Sequence, residues 1–206
     1  MNKTPQEYIK KVCDMFTNYG IRSVTMDDVA RELGISKKTL YLHFKDKSEL
    51  VGIILNKEFT EKADEFEKAM ENRENAIEEL FEYYKVQIRI LTNQKPNFIY
   101  DLKKYYSNHF DKFTKKKKER MMKSVIRNLK RGKKEGLFRE DINEDIVTRM
   151  HIARIDSIMT SGLFSFEELR SPLFFSEAFK YHIFAIVSDK GREIVNKKIE
   201  EIIANA

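Results

Sequence analysis

Gly20-Ile21-Arg22-Ser23-Val24-Thr25-Met26-Asp27-Asp28-Val29-Ala30-Arg31-Glu32-Leu33-Gly34-Ile35-Ser36-Lys37-Lys38-Thr39-Leu40-Tyr41-Leu42-His43-Phe44-Lys45-Asp46-Lys47-Ser48-Glu49-Leu50 decides how this chain is read. Gly20 closes a helix that starts near Pro5, because glycine takes the left-handed conformation at a helix C-terminus without a Cβ clash. Thr25 to Asp28 form a capping box, in which a hydroxyl and a carboxylate three residues later satisfy orphan N–H groups and open a helix. Val29, Ala30 and Leu33 make its apolar face, Gly34 stops it, and Ile35 plugs the turn. Ser36 caps the next helix, in which Leu40 and Phe44 share the inward face at a spacing of four. Asp46 to Glu49 open the following, much longer helix. A short helix, a glycine-containing turn and another short helix make a helix-turn-helix. Lys37, Lys38, Thr39, Tyr41 and Leu42 then fall on outer or flanking faces. Such side chains reach guanine edges, phosphates and thymine methyls.

This run resembles the DNA-binding domain of the tetracycline-repressor (TetR) family. The likeness is carried by Gly20, Thr25, Val29-Ala30, Leu33-Gly34-Ile35-Ser36, Leu40-Tyr41, His43-Phe44, Lys47 and Leu50, within about the first quarter of the chain. The resemblance implies a DNA-binding set of Thr25, Ser36, Lys37, Lys38, Thr39, Tyr41, His43 and Lys47. Thr25 caps the second helix and holds a phosphate; Lys37, Lys38 and Thr39 meet bases or backbone. Tyr41 lies against the groove wall, and His43 and Lys47 hold phosphates. Lys38 stands where many members carry glycine. The resemblance further implies a ligand-responsive regulator, a homodimeric repressor on a palindromic operator in double-stranded DNA, released by a small molecule of unknown identity. It divides the chain into a helix-turn-helix domain, 1–46, and a helical ligand-binding and dimerisation domain, 47–206.

Composition fits an all-α protein. Only seven Gly and three Pro interrupt 206 residues, too few for a sandwich or barrel with a turn every dozen or so residues. Apolar residues recur at helical spacing, as in Ile9, Val12, Cys13, Phe16 and in Ile77, Leu80, Phe81, Tyr84. Ser171 precedes Pro172, Thr4 precedes Pro5, and Pro96 opens another segment, so each proline marks a helix start. No period-two alternation is sustained, and nine or ten helices with no sheet are expected. No apolar run approaches the about 18 residues needed to cross a bilayer, and Met1 to Lys11 is too polar for a signal peptide. No membrane association and a cytoplasmic location are therefore expected. The single cysteine, Cys13, lies on an apolar stripe and reads as a buried thiol.

No glycine-rich phosphate loop, nucleophile elbow or metal-ligand spacing occurs, so no catalytic residue, metal or cofactor is expected and the chain is not read as an enzyme. His109, His151 and His182 are isolated in sequence and read as structural or pocket residues. The aromatic middle offers pocket candidates in Phe81, Tyr84, Ile88, Phe98, Tyr105 and Phe110, which suit an apolar or aromatic ligand. The last third holds two helices apolar on more than one side, which suits a four-helix interface between two copies. Met150, Ile155, Met159, Phe175, Phe179, His182 and Ile186 are the interface candidates. Residues 112–134 carry twelve Lys/Arg against one acid, while the whole chain is only +6. This segment is either a solvated helix surface or an electrostatic contact. It supports an alternative, a non-specific nucleic-acid-binding or scaffold protein using Lys112 to Lys134.

Overall fold

The computed structural model describes the backbone at residues 5–71, 73–92, 96–165 and 167–204, and the side chains there except at 5, 6, 58, 59, 62, 69, 88, 91, 92, 96 and 199–204. The Thr4 cap and the Ile88 side chain lie outside the described residues. Ten α-helices are present among them: α1 (Pro5–Tyr19), α2 (Met26–Leu33), α3 (Lys37–His43), α4 (Lys47–Met70), α5 (Ala76–Thr92), α6 (Pro96–Tyr105), α7 (Ser107–Lys134), α8 (Glu144–Thr160), α9 (Pro172–Ile186) and α10 (Asp189–Ala204). A short 3-10 turn spans Glu168–Arg170. The fold is all-α, and no helix among the described residues is long and apolar enough to cross a membrane.

The ends of these helices follow from side chains. Gly20, after α1, has φ +83° and donates its N–H to the Phe16 carbonyl at 3.0 Å. The Ser171 hydroxyl accepts from the Phe174 N–H at 3.1 Å, with Pro172 opening α9 behind it. Asn143 caps α8 in the same way, accepting from the Ile146 N–H at 3.0 Å.

The chain folds into two compact units. The first comprises residues 1–64 and 94–117. Its core joins Val12 and Phe16 of α1, Val29 and Leu33 of α2, Leu40 of α3, Leu50 and Ile54 of α4 and Leu102 of α6. This unit extends past residue 46, because α4 and α6 supply apolar side chains to the core beneath the helix-turn-helix. The half-buried Cys13 packs against that core.

The second unit comprises residues 65–93 and 118–206. Its core is built from Ile77, Leu80, Phe81 and Tyr84 of α5, Val125 and Leu129 of α7, and Phe175, Phe179 and Ile183 of α9. After α7 the chain turns back so tightly that the Leu137 and Phe138 N–H groups both donate to the Gly132 carbonyl. Phe138 then pairs with Val187 in an isolated antiparallel bridge. Glu79, 3% exposed, is met by Arg127 at 3.3 Å and Arg131 at 3.2 Å, so its buried charge has two partners.

Candidate nucleic-acid interface

The reading head is set up by reciprocal caps. The Thr25 hydroxyl accepts from the Asp28 N–H at 3.1 Å, and the Asp28 carboxylate accepts from the Thr25 N–H at 2.9 Å and the Thr25 hydroxyl at 2.7 Å. The Thr25 hydroxyl and N–H together hold the Asp28 carboxyl below the ordinary carboxylate range. After α2, Gly34 takes φ +69°, a conformation that an L side chain resists. That left-handed cap lets the Gly34 and Ile35 N–H groups donate back to Arg31 and Ala30, and the chain reverses within two residues. The Ser36 hydroxyl then accepts from the Thr39 N–H at 3.0 Å and starts α3.

Leu40 and Phe44 are buried, at 0% and 4% exposure. Their burial turns Lys37, Lys38, Tyr41, Leu42 and His43 outward, all exposed, with Thr39 half-buried. Lys37 reaches Asp27 on α2 at 2.6 Å, and this hydrogen-bonded ion pair raises the lysine above its usual range. His43 sits edge-on to Tyr8 at 6.2 Å, tying the end of α3 to α1. Lys47 is half-buried: its ammonium lies 5.9 Å from the Phe16 ring and donates to the Arg22 carbonyl at 3.4 Å. Burial lowers its pKa, opposed by the nearby Asp101 and Asp28 carboxylates. All eight residues of the predicted DNA-binding set therefore lie in the first unit, seven along the α2–α3 segment and one at the start of α4.

A contact that the sequence reading missed joins this head to α6. Asp101, 8% exposed, accepts the Arg22 N–H at 2.8 Å. The Arg22 guanidinium lies 4.9 Å from the Tyr105 ring and donates to its hydroxyl at 2.5 Å. No local pattern signals this pairing, because its partners are about eighty residues apart.

The other predicted sites separate. Among the pocket candidates, Phe81 and Tyr84 are in the core of the second unit, whereas Phe98, Tyr105 and Phe110 belong to the first. Among the interface candidates, Phe175, Phe179, His182 and Ile186 are interior to the second unit and are not on its surface. The physical reason is that α9 lays this face on α5, with Phe179 4.7 Å from Phe81 and 4.8 Å from Tyr84, ring to ring. Met150 and Met159 are exposed, at 65% and 42%, and Ile155 is half-buried. His151 and His182, isolated in sequence, lie ring to ring with centroids 4.1 Å apart and planes tilted by 35°.

The lysine-rich segment forms most of α7, and five of its twelve cations are paired with acids among the described residues. Lys118 pairs with Asp156, Arg120 with Glu67, Arg127 and Arg131 with Glu79, and Lys133 with Glu144. These partners absorb much of the charge that the alternative reading needs.

Residues 12–52 match the family of bacterial regulatory proteins of the tetR type. An HTH-type transcriptional regulator of Staphylococcus aureus (strain USA300) is 41% identical over 44 residues, 21% of this chain and 24% of that protein. The matched stretch thus spans about a quarter of the relative's length. Over the whole chain the likeness is one of fold. A transcriptional regulator from Cytophaga hutchinsonii ATCC 33406 superposes with a TM-score of 0.72 at 20% identity, covering 89% of this chain and 98% of that one. A TetR-family regulator from Marinobacter aquaeolei VT8 gives 0.68 at 18% identity, covering 98% and 99%. The N-terminal helices thus match the DNA-binding domain of the tetR regulatory proteins, and the chain as a whole shares the fold of these solved transcriptional regulators.

Proposed function

We propose that the protein is a homodimeric, ligand-responsive repressor that reads a palindromic DNA operator, one half-site per subunit. The observation that carries this is the outward face of α3. Lys37, Lys38, Tyr41, Leu42 and His43 stand exposed above a buried Leu40 and Phe44, in the segment that matches the family. Lysine and tyrosine donors suit base edges and phosphates, and the Leu42 side chain suits a thymine methyl. Breaking the Lys37–Asp27 pair at 2.6 Å frees that lysine for DNA. Thr25, Ser36, Thr39 and Lys47 complete the contact set. Binding rather than catalysis is then the protein's activity, exercised in the cytoplasm with the DNA it reads.

Dimerisation is assigned to the outer face of α8 and α9. Ile146, Met150, Leu173 and Tyr181 are exposed there at 48%, 65%, 73% and 75%. Arg154 links the two helices, donating to the Ala178 carbonyl at 3.1 Å. So many large apolar side chains on adjacent helices favour a covered, two-fold surface.

Effector binding is assigned to the second unit, beside Phe81 and Tyr84. Tyr83 Oη, Thr148 Oγ1 and His151 Nε2 are buried there without hydrogen-bond partners. Each such group costs about 1–3 kcal/mol when left unmade, so a ligand carrying hydrogen-bonding groups on an aromatic frame suits them. Ligand binding shifts the population of reading heads away from the DNA-competent arrangement.

Selection of bound duplexes from a random pool tests the reading. The wild type is expected to recover a palindrome, with half-sites spaced by about one helical turn, 34–36 Å, or a multiple of it. Lys37→Ala/Tyr41→Ala is expected to recover none. Equal, consensus-free binding by both proteins overturns it.

A further inference from the structure

We propose that the end of α6 forms a second phosphate-binding surface, in which Arg22, Lys47 and Lys104, held by Tyr100 and Tyr105, grip the DNA backbone beside the half-site that α3 reads. The inference rests on the reading of α3 as a duplex reader and adds to it a part of the molecule outside the helix-turn-helix. Arg22 lies in the turn between α1 and α2, three residues before the capping Thr25. Lys104 lies in the last turn of α6.

The geometry makes a continuous ladder. The Lys47 ammonium donates to the Arg22 carbonyl at 3.4 Å. The Arg22 guanidinium lies 4.9 Å from the Tyr105 ring, and the Lys104 ammonium lies 5.5 Å from the same ring on its own account. Lys104 also sits 5.2 Å from the Tyr100 ring and donates to its hydroxyl at 2.8 Å. All of these residues belong to the first unit, which also carries α3. The surface is therefore continuous with the proposed reading head through Lys47.

Charge pairing distinguishes this surface from part of α7. Lys118, Arg120, Arg127, Arg131 and Lys133 there are paired with Asp156, Glu67, Glu79 and Glu144. Arg22, Lys47 and Lys104 make no ion pair among the described residues; aromatic rings and neutral oxygens hold them instead. A ring face fixes a cation without cancelling its charge, so its N–H donors remain able to meet an anion. Asp101, 8% exposed, accepts the Arg22 backbone N–H at 2.8 Å. Asp101 and Asp28 are the two carboxylates acting on Lys47, which leaves Arg22 and Lys104 as the two exposed cations of the set. Arg22, Lys104, Tyr100 and Tyr105 are all exposed. Cations held by rings on an ordered frame, two of them exposed, suit the evenly charged backbone of a duplex, which is read without regard to sequence.

Salt dependence is the test, and it needs no knowledge of the operator. Affinity for a fluorescent random-sequence duplex of about three helical turns is measured from about 50 to 200 mM salt. The proteins compared are the wild type, Arg22→Gln, Lys104→Gln and a bulk-charge control, the exposed Lys197→Gln. Each patch variant is expected to flatten the slope of log affinity against log salt by about 0.9, so that it loses about threefold less affinity over that range than the wild type. The control is expected to keep the wild-type slope. Patch variants with the wild-type or control slope overturn the proposal. So does a Lys104→Gln protein that changes only in melting temperature, which would make the lysine a helix-end cation. A wild type that binds no duplex overturns both the regulator reading and this surface. Flattened slopes with no consensus in the selection experiment keep the surface and remove the reader.

Discussion

His151 and His182 meet inside the second unit with ring centroids 4.1 Å apart and planes tilted by 35°, and each is more than nine-tenths buried by exposure. Burial, reinforced by the Arg154 guanidinium, pushes the His151 pKa down from 6.5 to about 3. Burial likewise drives His182 well below its usual value, helped by His151 and Arg154. The fold therefore keeps both rings neutral where the unfolded chain takes up protons. Stability is complete above about pH 6.5 and drains as pH falls toward 3, at about 1.4 kcal/mol per pH unit for one histidine. Melts of the wild type and His151→Leu at pH 7 and pH 5 check this. The wild type is expected to lose about 2 kcal/mol more than the variant over that interval; parallel losses would mean that His151 titrates normally in the fold. Thr148 tests the neighbouring orphan hydroxyl. Thr148→Val removes a buried, partnerless oxygen at nearly constant shape and is expected to raise ligand-free stability by about 1 kcal/mol. A melting temperature unchanged or lowered would show that the hydroxyl is satisfied.

Helix α7 sets how the second unit closes. A Cβ at Gly132 would stand 2.0 Å from the Phe138 ring, so a bare backbone is needed where the chain turns back to bridge Val187. Gly132→Ala is expected to destabilise the protein by about 1–3 kcal/mol or more, the usual cost of overpacking. Chemical denaturation measures this, and a variant as stable as the wild type would mean that Phe138 swings away at no cost. In α3 the decisive interaction is the burial of Leu40. Leu40→Ala is expected to cost about 2–5 kcal/mol and to weaken DNA binding by loosening the whole reading face. Denaturation and duplex binding read the two effects on the same sample. The elements differ in how far sequence reveals them. Capping residues and the four-residue spacing of Leu40 and Phe44 make α2 and α3 legible. In α9, apolar residues lie on several sides, and periodicity alone does not say which side meets α5.

At the scale of the whole molecule, net charge is a poor guide to where DNA binds. The densest run of cations lies in α7, but acids far away in sequence neutralise many of them. Arg22 of the α1–α2 turn and Lys104 of α6, with Lys47 of α4 beside them, make a sparser set held by rings and without ion pairs among the described residues. The apolar outer face of α8 and α9 is the feature that bears on assembly. Met150→Glu/Tyr181→Glu places two charges on it, and the variant is expected to sediment as a monomer with an intact helical spectrum. Operator affinity is expected to fall at least tenfold, because one half-site is then held without the other. A double variant that sediments as the wild type does would remove this face from the assembly.

The sequence alone carries the helix-turn-helix, its likeness to the tetR regulators and the outward side chains of α3, because caps, turn glycines and helical spacing act over a few neighbouring residues. It also determined the all-α class, through the recurrence of apolar residues and the scarcity of breakers. The packed fold decides that Asp101 and Tyr105 meet Arg22, that His151 and His182 lie ring to ring, and that Phe175 and Phe179 face inward. It alone decides which cations are paired with acids and which are held by rings. These pairings join residues tens of positions apart, where the packing of whole helices, and no local pattern, chooses the partner.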